Sequence, residues 1–515
     1  MKYGLQFIKD NIILLLILSF GLFLRIYDLG HESFWFDETI SSIAAISMIE
    51  NGIPVFPSGL FYSRAILNTF FIAVSFSFLG VSEFAGRLPS VILGTLTILL
   101  VYYMGSRWGN KRVGLLAAIL VAFSVWEIAW SRQARMYQQL QFFYLLSLYL
   151  FYEYVNHRNK KHLGLLIASF AATILSHVFG YVLIGVFLVF IAAYFLKEKH
   201  YNVPGKKSVL YIALVLVLLL GLAYNRGVIS NVVQTQVNYY DEYIYFLKGN
   251  LGFALFFAVP GATVLLSRDW SKGLLLTMSF IIPFYVIFFH VLLFATRYLY
   301  FVIPAMLVLV AYFLDFVINH TSEMASRKCS RLFSYGDRQY PCSKVRPIVC
   351  SITMIFLIVL MYLSPAFTFM PKEAYDLGPN APRSDFRKAY SYVDSNMQPG
   401  DVVVSAWTAP AQFYLGKNDY WLAFNVMGTG MEPFTVENAT RDKYSNSIVI
   451  KDTEMLKNVT CQHERGWIVT DTLAWHKISP QSRDFIESNT TRQLQDPTIR
   501  VYMWDHTNES VCPSL

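Results

Sequence analysis

The chain has 515 residues, of which 55% are hydrophobic, 17% aromatic and only 15% charged, with a formal net charge of +8 and a mean hydropathy of +0.42. It is too apolar and too poor in charge for a soluble enzyme of this length. Its basic excess is spread over loops and calls for no nucleic-acid partner, so composition points to an α-helical polytopic membrane protein.

Apolar runs long enough to cross about 30 Å of hydrocarbon, roughly 17 to 25 residues each, recur from Asn11 to Ser364 and then cease. The first covers 11–27. Tyr27-Asp28-Leu29-Gly30 follows it where a cleavable signal would carry small residues, so it reads as a retained span. The apolar stretch from Ala65 to Gly80 reads as an interfacial helix of the first exterior loop, because counting it as a span would invert every later loop. Further spans are expected at 88–105, 113–130, 138–155, 163–178, 181–196, 208–224, 251–267, 273–290, 298–317 and 347–364, about eleven in all.

With that count, the loops around Arg107, Lys111 and Arg112, around Arg158, Lys160 and Lys161, around Lys197 and Lys207, around Arg268 and Lys272, and from Arg327 to Arg346 share one side. The positive-inside rule makes that side cytoplasmic. The amino terminus is then inside and the carboxy-terminal region outside, in a multi-pass protein of the cell membrane. The expected division is a transmembrane catalytic domain at 1–364 and an extracytoplasmic soluble α/β domain at 365–515.

The tail supports this orientation. Asn438, Asn458, Asn489 and Asn508 each head an N-x-Ser/Thr acceptor pattern. Cys461 and Cys512 lie in the tail, where a disulfide between them is expected, whereas Cys329, Cys342 and Cys350 fall in or beside a cytoplasmic loop. Helical spacing runs from Ser384 to Met397 and is broken by Pro399-Gly400. Strands are expected at Asp401–Ser405, Trp467–Thr470 and Ile499–Trp504, with a helix at Gln481–Ser488.

The exterior face gathers the polar residues that chemistry would need. Asp37 and Glu38 sit among aromatics in Ser33-Phe34-Trp35-Phe36-Asp37-Glu38-Thr39, where two adjacent acids at a membrane exit are costly to keep dry. They read as functional acids or as caps of a helix starting near Thr39. Arg64 and Arg297 read as phosphate ligands, since the guanidinium fork matches phosphate oxygens, or as side chains snorkelling to headgroups. Arg132 and Arg135 read as acceptor contacts or as structural partners of Glu127 or the tail, and Glu83 with Arg87, one helical turn apart, as an ion pair. His177 reads as an interfacial histidine. Together with His290, Asp37 and Glu38 it would suit a divalent cation, although no close His/Cys spacing marks a dedicated zinc site. No cofactor is otherwise required.

Acids and arginines at headgroup level favour an enzyme acting on a lipid-linked substrate over a transporter or flippase, which would place its ionisable groups near the bilayer midplane. No glycine-rich phosphate loop marks a soluble nucleotide-sugar donor.

Leu24-Arg-Ile-Tyr-Asp-Leu-Gly30 followed by Phe34-Trp-Phe-Asp-Glu38, then Gly80-Val-Ser-Glu-Phe-Ala-Gly-Arg-Leu-Pro89, Ser131-Arg-Gln-Ala-Arg-Met-Tyr137, Ser176-His177 and Arg297-Tyr-Leu299 with Pro304, resemble the polytopic glycosyltransferases of the C superfamily. The resemblance is to the branch of protein O-mannosyltransferases and lipid A aminoarabinose transferases, and it covers most of the chain. It implies transfer of a sugar from a polyprenyl-phosphate carrier to a protein, glycan or glycolipid acceptor at the extracytoplasmic face, with inversion. Asp37 would then be the base or orienting acid, and Arg64 with Arg297 would bind the carrier phosphate. Two departures stand out. The stretch that holds a second acid in several relatives offers Gln133 and Tyr137 here, leaving Glu127 as the substitute, and Arg64 is followed by Ala65-Ile66 in place of a Pro-Pro pair.

Overall fold

A computed structural model describes residues 2–197, 206–225, 238–291, 293–333, 345–377, 383–423, 434–436 and 439–506. They fall into two compact units. The first comprises Met1–Tyr27, Ser90–Arg132 and Met136–Glu373, and the second Asp28–Pro89, Gln133–Arg135 and Ala374–Leu515.

Apolar runs become helices wherever Asn, Asp or glycine punctuates them. In chain order, α1 (Lys2–Ile26) is followed by α2 (Phe36–Asn51), α3 (Ile66–Leu79) and α4 (Glu83–Trp108). The side chain of Asn110 caps α5 (Lys111–Phe123) by accepting from the Arg112 and Val113 amides. The chain continues through α6 (Val125–Ser131), α7 (Tyr137–His157), α8 (Lys160–Ser176), α9 (Val182–Lys197), α10 (Lys206–Asn225), α11 (Tyr240–Asn250) and α12 (Gly252–Arg268). Asp269 caps α13 (Trp270–His290) in the same way, before α14 (Ile303–Phe333) and α15 (Val345–Leu363).

Among the described residues, four helical stretches are long and apolar enough to cross a membrane: Glu83–Trp108, Val178–Lys197, Trp270–His290 and Thr296–Cys329. The α11–α12 pair would make a fifth, bent by 93°. Asn11–Ile26, Ile212–Asn225 and Pro347–Leu363 are apolar but shorter, as is α3, whose 14 residues reach only about 21 Å at 1.5 Å per residue.

The run expected as one span at 113–130 breaks at Ser124 into α5 and α6. The carbonyls released at the break find other donors. Arg25 donates from Nη1 to Ala122 O at 3.2 Å and from Nη2 to Val121 O at 3.1 Å, and the Thr368 amide donates to Phe123 O at 2.8 Å. A fully buried arginine at the end of α1 is thereby explained as a cap on the neighbouring helix.

In the second unit the tail builds an eight-stranded sheet: β1 (Val402–Ser405), β2 (Tyr420–Leu422), β3 (Phe434–Val436), β4 (Ala439–Arg441), β5 (Ile448–Ile450), β6 (Arg465–Asp471), β7 (Thr491–Arg492) and β8 (Ile499–Asp505), in the order β3-β4-β5-β2-β1-β6-β8-β7. The central strands β5, β2, β1 and β6 are parallel, with Val402 opposite Gly466 and Ser405 opposite Val469, and the flanking pairings are antiparallel.

A parallel centre is covered on both faces, which is why β1 is apolar throughout. Val402 and Val404 pack with residues of α18 (Thr453–Gln462), α19 (Thr472–Lys477) and α20 (Pro480–Asn489), while Val403 packs with α16 (Phe386–Asn396). The strands and helices expected in the tail are present within a residue or two of their predicted bounds. The segment between α1 and α4 joins this unit: Ile40, Ile43 and Ala44 of α2 share a core with Ala409 of α17 (Thr408–Tyr414), Trp421, Tyr444 and Val449.

Cys329 and Cys461 are each disulfide-bonded and Cys350 is free; Cys342 and Cys512, the expected partner of Cys461, lie outside the described residues, as do Asn438 and Asn508. Asn458 and Asn489 are exposed, on α18 and at the end of α20.

Candidate functional site

Within the second unit, everything around Asp37 is arranged by Glu38 and Arg87. Glu38 is the third residue of α2 and is fully buried. Its Oε1 accepts from Arg87 Nε at 2.9 Å and from the Ala134 amide at 2.7 Å, and its Oε2 from Arg87 Nη2 at 2.7 Å and from the Trp35 amide at 3.4 Å. Arg87 spends its remaining N–H groups on the carbonyls of Leu29, Glu32 and Ser33. All five guanidinium donors are therefore used. Glu38 is thus the capping and anchoring acid, and its expected neighbour Glu83 does not pair with Arg87. Glu83 instead takes Arg387 at 3.2 Å and the Tyr414 hydroxyl at 2.8 Å.

Asp37, one residue earlier, points elsewhere. Its side chain keeps 18% exposure and forms an ion pair with Arg135 at 3.5 Å. Arg135 Nη1 also donates to Asp37 O and to Ser41 Oγ, both at 2.8 Å. Gln133 joins from the same short segment by accepting from Trp35 Nε1 at 2.7 Å. Arg135, expected as an acceptor contact or as a structural partner of Glu127 or the tail, pairs with Asp37. No spacing in the sequence links positions 37 and 135; only the expectation that both segments lie on one side of the membrane could have suggested it.

Arg64 reaches the same neighbourhood through the loop between α2 and α3. Val55 and Phe61 bridge as a short antiparallel pair, Gly59 turns the loop with φ +83°, and the Tyr62 amide donates to Pro54 O at 2.8 Å. Ala65 then adopts φ +53° just before α3. A residue with a Cβ in the left-handed region is strained, and such strain persists where the surroundings over-determine it. Arg64 itself is exposed and makes no hydrogen bond or ion pair with the described residues.

Its charge and that of Asp37 both act on the hydroxyl of Tyr444. Burial pushes that phenol well above its ordinary pKa, Tyr62 and Asp37 add to the rise, and Arg64 opposes it.

The first unit brings together a second group. Arg297 lies over the Tyr137 ring at 5.9 Å, and Tyr137 in turn packs against Trp130, His177 and Tyr298 at centroid distances of 5.4, 5.7 and 6.4 Å. His177 Nδ1 accepts from the Phe179 amide at 3.2 Å, capping the turn after α8. His290 lies edge-on to Tyr285 at 5.2 Å.

Glu127 is buried, accepting from Gln141 at 2.9 Å and Tyr300 at 3.4 Å. It has no exposed oxygen to offer an acceptor. Arg132 pairs with Glu373 and donates to the carbonyls of Leu24, Arg25 and Tyr27, so it closes the end of α1. Among the described residues no three His, Cys, Asp or Glu side chains gather closely enough to hold a metal ion; Asp37 and Glu38 belong to the second unit, and His177 and His290 to the first.

Residues 63–224 match the family model described as dolichyl-phosphate-mannose-protein mannosyltransferase. An uncharacterized protein of Aquifex aeolicus (strain VF5) is 30% identical over 175 residues, 33% of this chain and 35% of that protein, so the match spans about a third of the curated relative's length. Among solved structures, ArnT from Cupriavidus metallidurans in the apo state superimposes with a TM-score of 0.61 at 14% identity, covering 95% of this chain and 97% of that one. The archaeal oligosaccharyltransferase AglB from Archaeoglobus fulgidus, in complex with an inhibitory peptide and a dolichol-phosphate, gives 0.58 at 11% identity, covering 93% and 72%. The motif resemblance and the shared architecture agree: this chain has the fold of the C-superfamily polytopic glycosyltransferases, to which ArnT and AglB belong.

Proposed function

We propose that the protein is a glycosyltransferase that moves a sugar from a polyprenyl-phosphate carrier to an acceptor at the extracytoplasmic membrane face, with inversion at the anomeric carbon. The observation that carries this reading is the partly exposed carboxylate of Asp37, paired with Arg135 in the compact unit that also holds the exposed guanidinium of Arg64. A base and a permanently charged cation are what transfer from a lipid phosphate needs. ArnT has been solved bound to undecaprenyl phosphate and AglB with a dolichol-phosphate, which supports a lipid-linked donor here.

Each residue then has a role. A phosphate is already a serviceable leaving group, so the protein must mainly position the acceptor and neutralise the charge that grows on the departing oxygen. Asp37 accepts the proton of the incoming hydroxyl or amine, and Arg135 holds that carboxylate in place. Arg64 binds the phosphate. The reading also takes the about eleven spans as the membrane path, with the amino terminus cytoplasmic and the sheet-bearing tail outside.

The test is mass spectrometry of products formed by the purified chain from a panel of polyprenyl-phosphate sugars. A glycosylated acceptor is expected with at least one donor. Absence of any covalent product, across the panel and with protein, glycan and glycolipid acceptors, would refute the reading.

A further inference from the structure

We propose that Trp407, from the tail, is a positioning residue for the proposed base: its indole, anchored on Asp471, fixes Phe36 and with it the direction in which α2 presents Asp37. The inference rests on the proposed function and gives the tail a part in the chemistry that no motif assigns.

The direction of Asp37 is decided by its two neighbours. Successive residues of a helix are rotated by about 100°, so Phe36 and Glu38 leave α2 on either side of Asp37, and pinning both stops the first turn from rolling. Glu38 is pinned by Arg87 and by the Ala134 amide. Phe36 has no polar group to hold it, and its ring meets Trp407 at a centroid distance of 4.5 Å and Tyr444 edge-on at 5.8 Å. Asp37 then stands where Arg135 reaches it at 3.5 Å.

Trp407 is itself fixed. It lies just past β1, and its Nε1 donates to Asp471 Oδ1 at 2.9 Å, beyond the parallel pairing that sets Ser405 opposite Val469. Asp471 ends β6 and is buried; its Oδ1 also accepts from the Ala474 amide at 2.7 Å, and its Oδ2 accepts from the Ser384 hydroxyl at 2.9 Å. Ser384 O in turn accepts from Ser33 Oγ at 2.7 Å, and Ser33 Oγ accepts from the Phe386 amide at 3.2 Å. One carboxylate therefore holds both ends of the string from Ser33 to Phe36 that leads into Asp37. Between those ends, the Phe34 amide donates to the Tyr414 hydroxyl at 2.7 Å.

The place in the sheet fits this role. β2 lies on one side of β1 and β6 on the other, so the chain changes direction between β1 and β6. The carboxyl ends of strands at such a point are where open α/β sheets place their function. Here they carry Trp407 and Asp471, which reach the segment before Asp37. Trp407 also borders the cores on both faces of the sheet and the core shared with α2, so the alternative to separate is a ring that only fills space.

The experiment follows amide hydrogen exchange of the full chain in detergent. Trp407→Leu should speed exchange over the first turns of α2 by about tenfold or more, with β1 and β6 as protected as in the parent. Unchanged exchange over α2 overturns the proposal. Should the leucine variant loosen β1 and β6 as well, Phe36→Leu, which removes the same ring contact and leaves the indole on Asp471, answers instead: faster exchange over α2 alone supports the proposal, and any other pattern overturns it.

Turnover gives a second readout. A misplacement of about 1 Å can cost about a hundredfold, so Trp407→Leu should lower kcat by about ten- to a hundredfold, while farnesyl phosphate, a short prenyl phosphate without sugar, binds as in the parent. In an Asp37→Asn background the same substitution should cost nothing further, since the indole acts through Asp37. An equal loss in both backgrounds overturns the proposal. A parent chain that forms no product sinks the glycosyltransferase reading, and the exchange rates still decide whether Trp407 fixes the turn that carries Asp37. A parent that transfers, beside a Trp407→Leu variant of equal turnover, sinks only the inference.

Discussion

Two neighbouring acids, Asp37 and Glu38, have opposite fates because they leave the same helix turn in different directions. Glu38 is fully buried, with both oxygens engaged by Arg87 and by backbone amides. Replacing it with Gln removes the charge that balances a buried guanidinium, and breaking such a pair typically costs about 3–5 kcal/mol. Glu38→Gln should therefore lower the thermal midpoint of the detergent-solubilised protein strongly, whereas Asp37→Asn should leave it nearly unchanged. For Asp37→Asn the expected loss is in chemistry. Turnover should fall by roughly a hundred- to ten-thousandfold, the range of general acid–base catalysis, while farnesyl phosphate still binds. Arg64→Ala removes a preorganised charge partner, and by analogy with oxyanion donors its turnover should fall by about a hundredfold or more. Steady-state kinetics with wild-type-like midpoints would check both.

At the scale of elements, close backbone approach determines where the chain tolerates change. Gly261 of α12 faces α14 so tightly that a Cβ there would lie 2.0 Å from Leu309 O. Because the obstacle is backbone, Gly261→Ala must separate the two helices. Overpacking of this kind costs about 1–3 kcal/mol, so the variant should show a lowered thermal midpoint and reduced yield of folded protein. Membrane helices use small residues at such contacts, and a glycine beside Pro260 would otherwise read as a simple flaw in the span. The break at Ser124 is a similar case: hydropathy runs straight through it, but Arg25 and Thr368 are there to take the freed carbonyls.

For the whole molecule, the proposed topology makes a prediction of its own. If the tail faces outward, the exposed Asn458 and Asn489 lie on the same side as Asp37. Single cysteines placed at these two positions should react with a membrane-impermeant maleimide in intact cells, whereas one placed at Lys111 should react only after permeabilisation. Labelling of position 111 from outside, or protection of both tail positions, would reverse the orientation. The pairing of the first exterior segment with the tail in one compact unit has a consequence for engineering as well. Ile40, Ile43 and Ala44 share their core with Trp421 and Val449, so the tail cannot be cut away without uncovering the helix that carries Asp37.

Hydropathy, motif spacing and turn residues were sufficient to read the helical class, the sheet-bearing tail and the resemblance to polytopic glycosyltransferases, because these depend on local pattern along the chain. They could not tell which acid is anchored and which is partly exposed, that Arg87 serves Glu38, that Glu83 takes Arg387 and Tyr414 instead, or that Arg135 holds Asp37. Those pairings join positions dozens to hundreds of residues apart, and partners so distant are chosen by the packing of helices and strands, which no local pattern encodes.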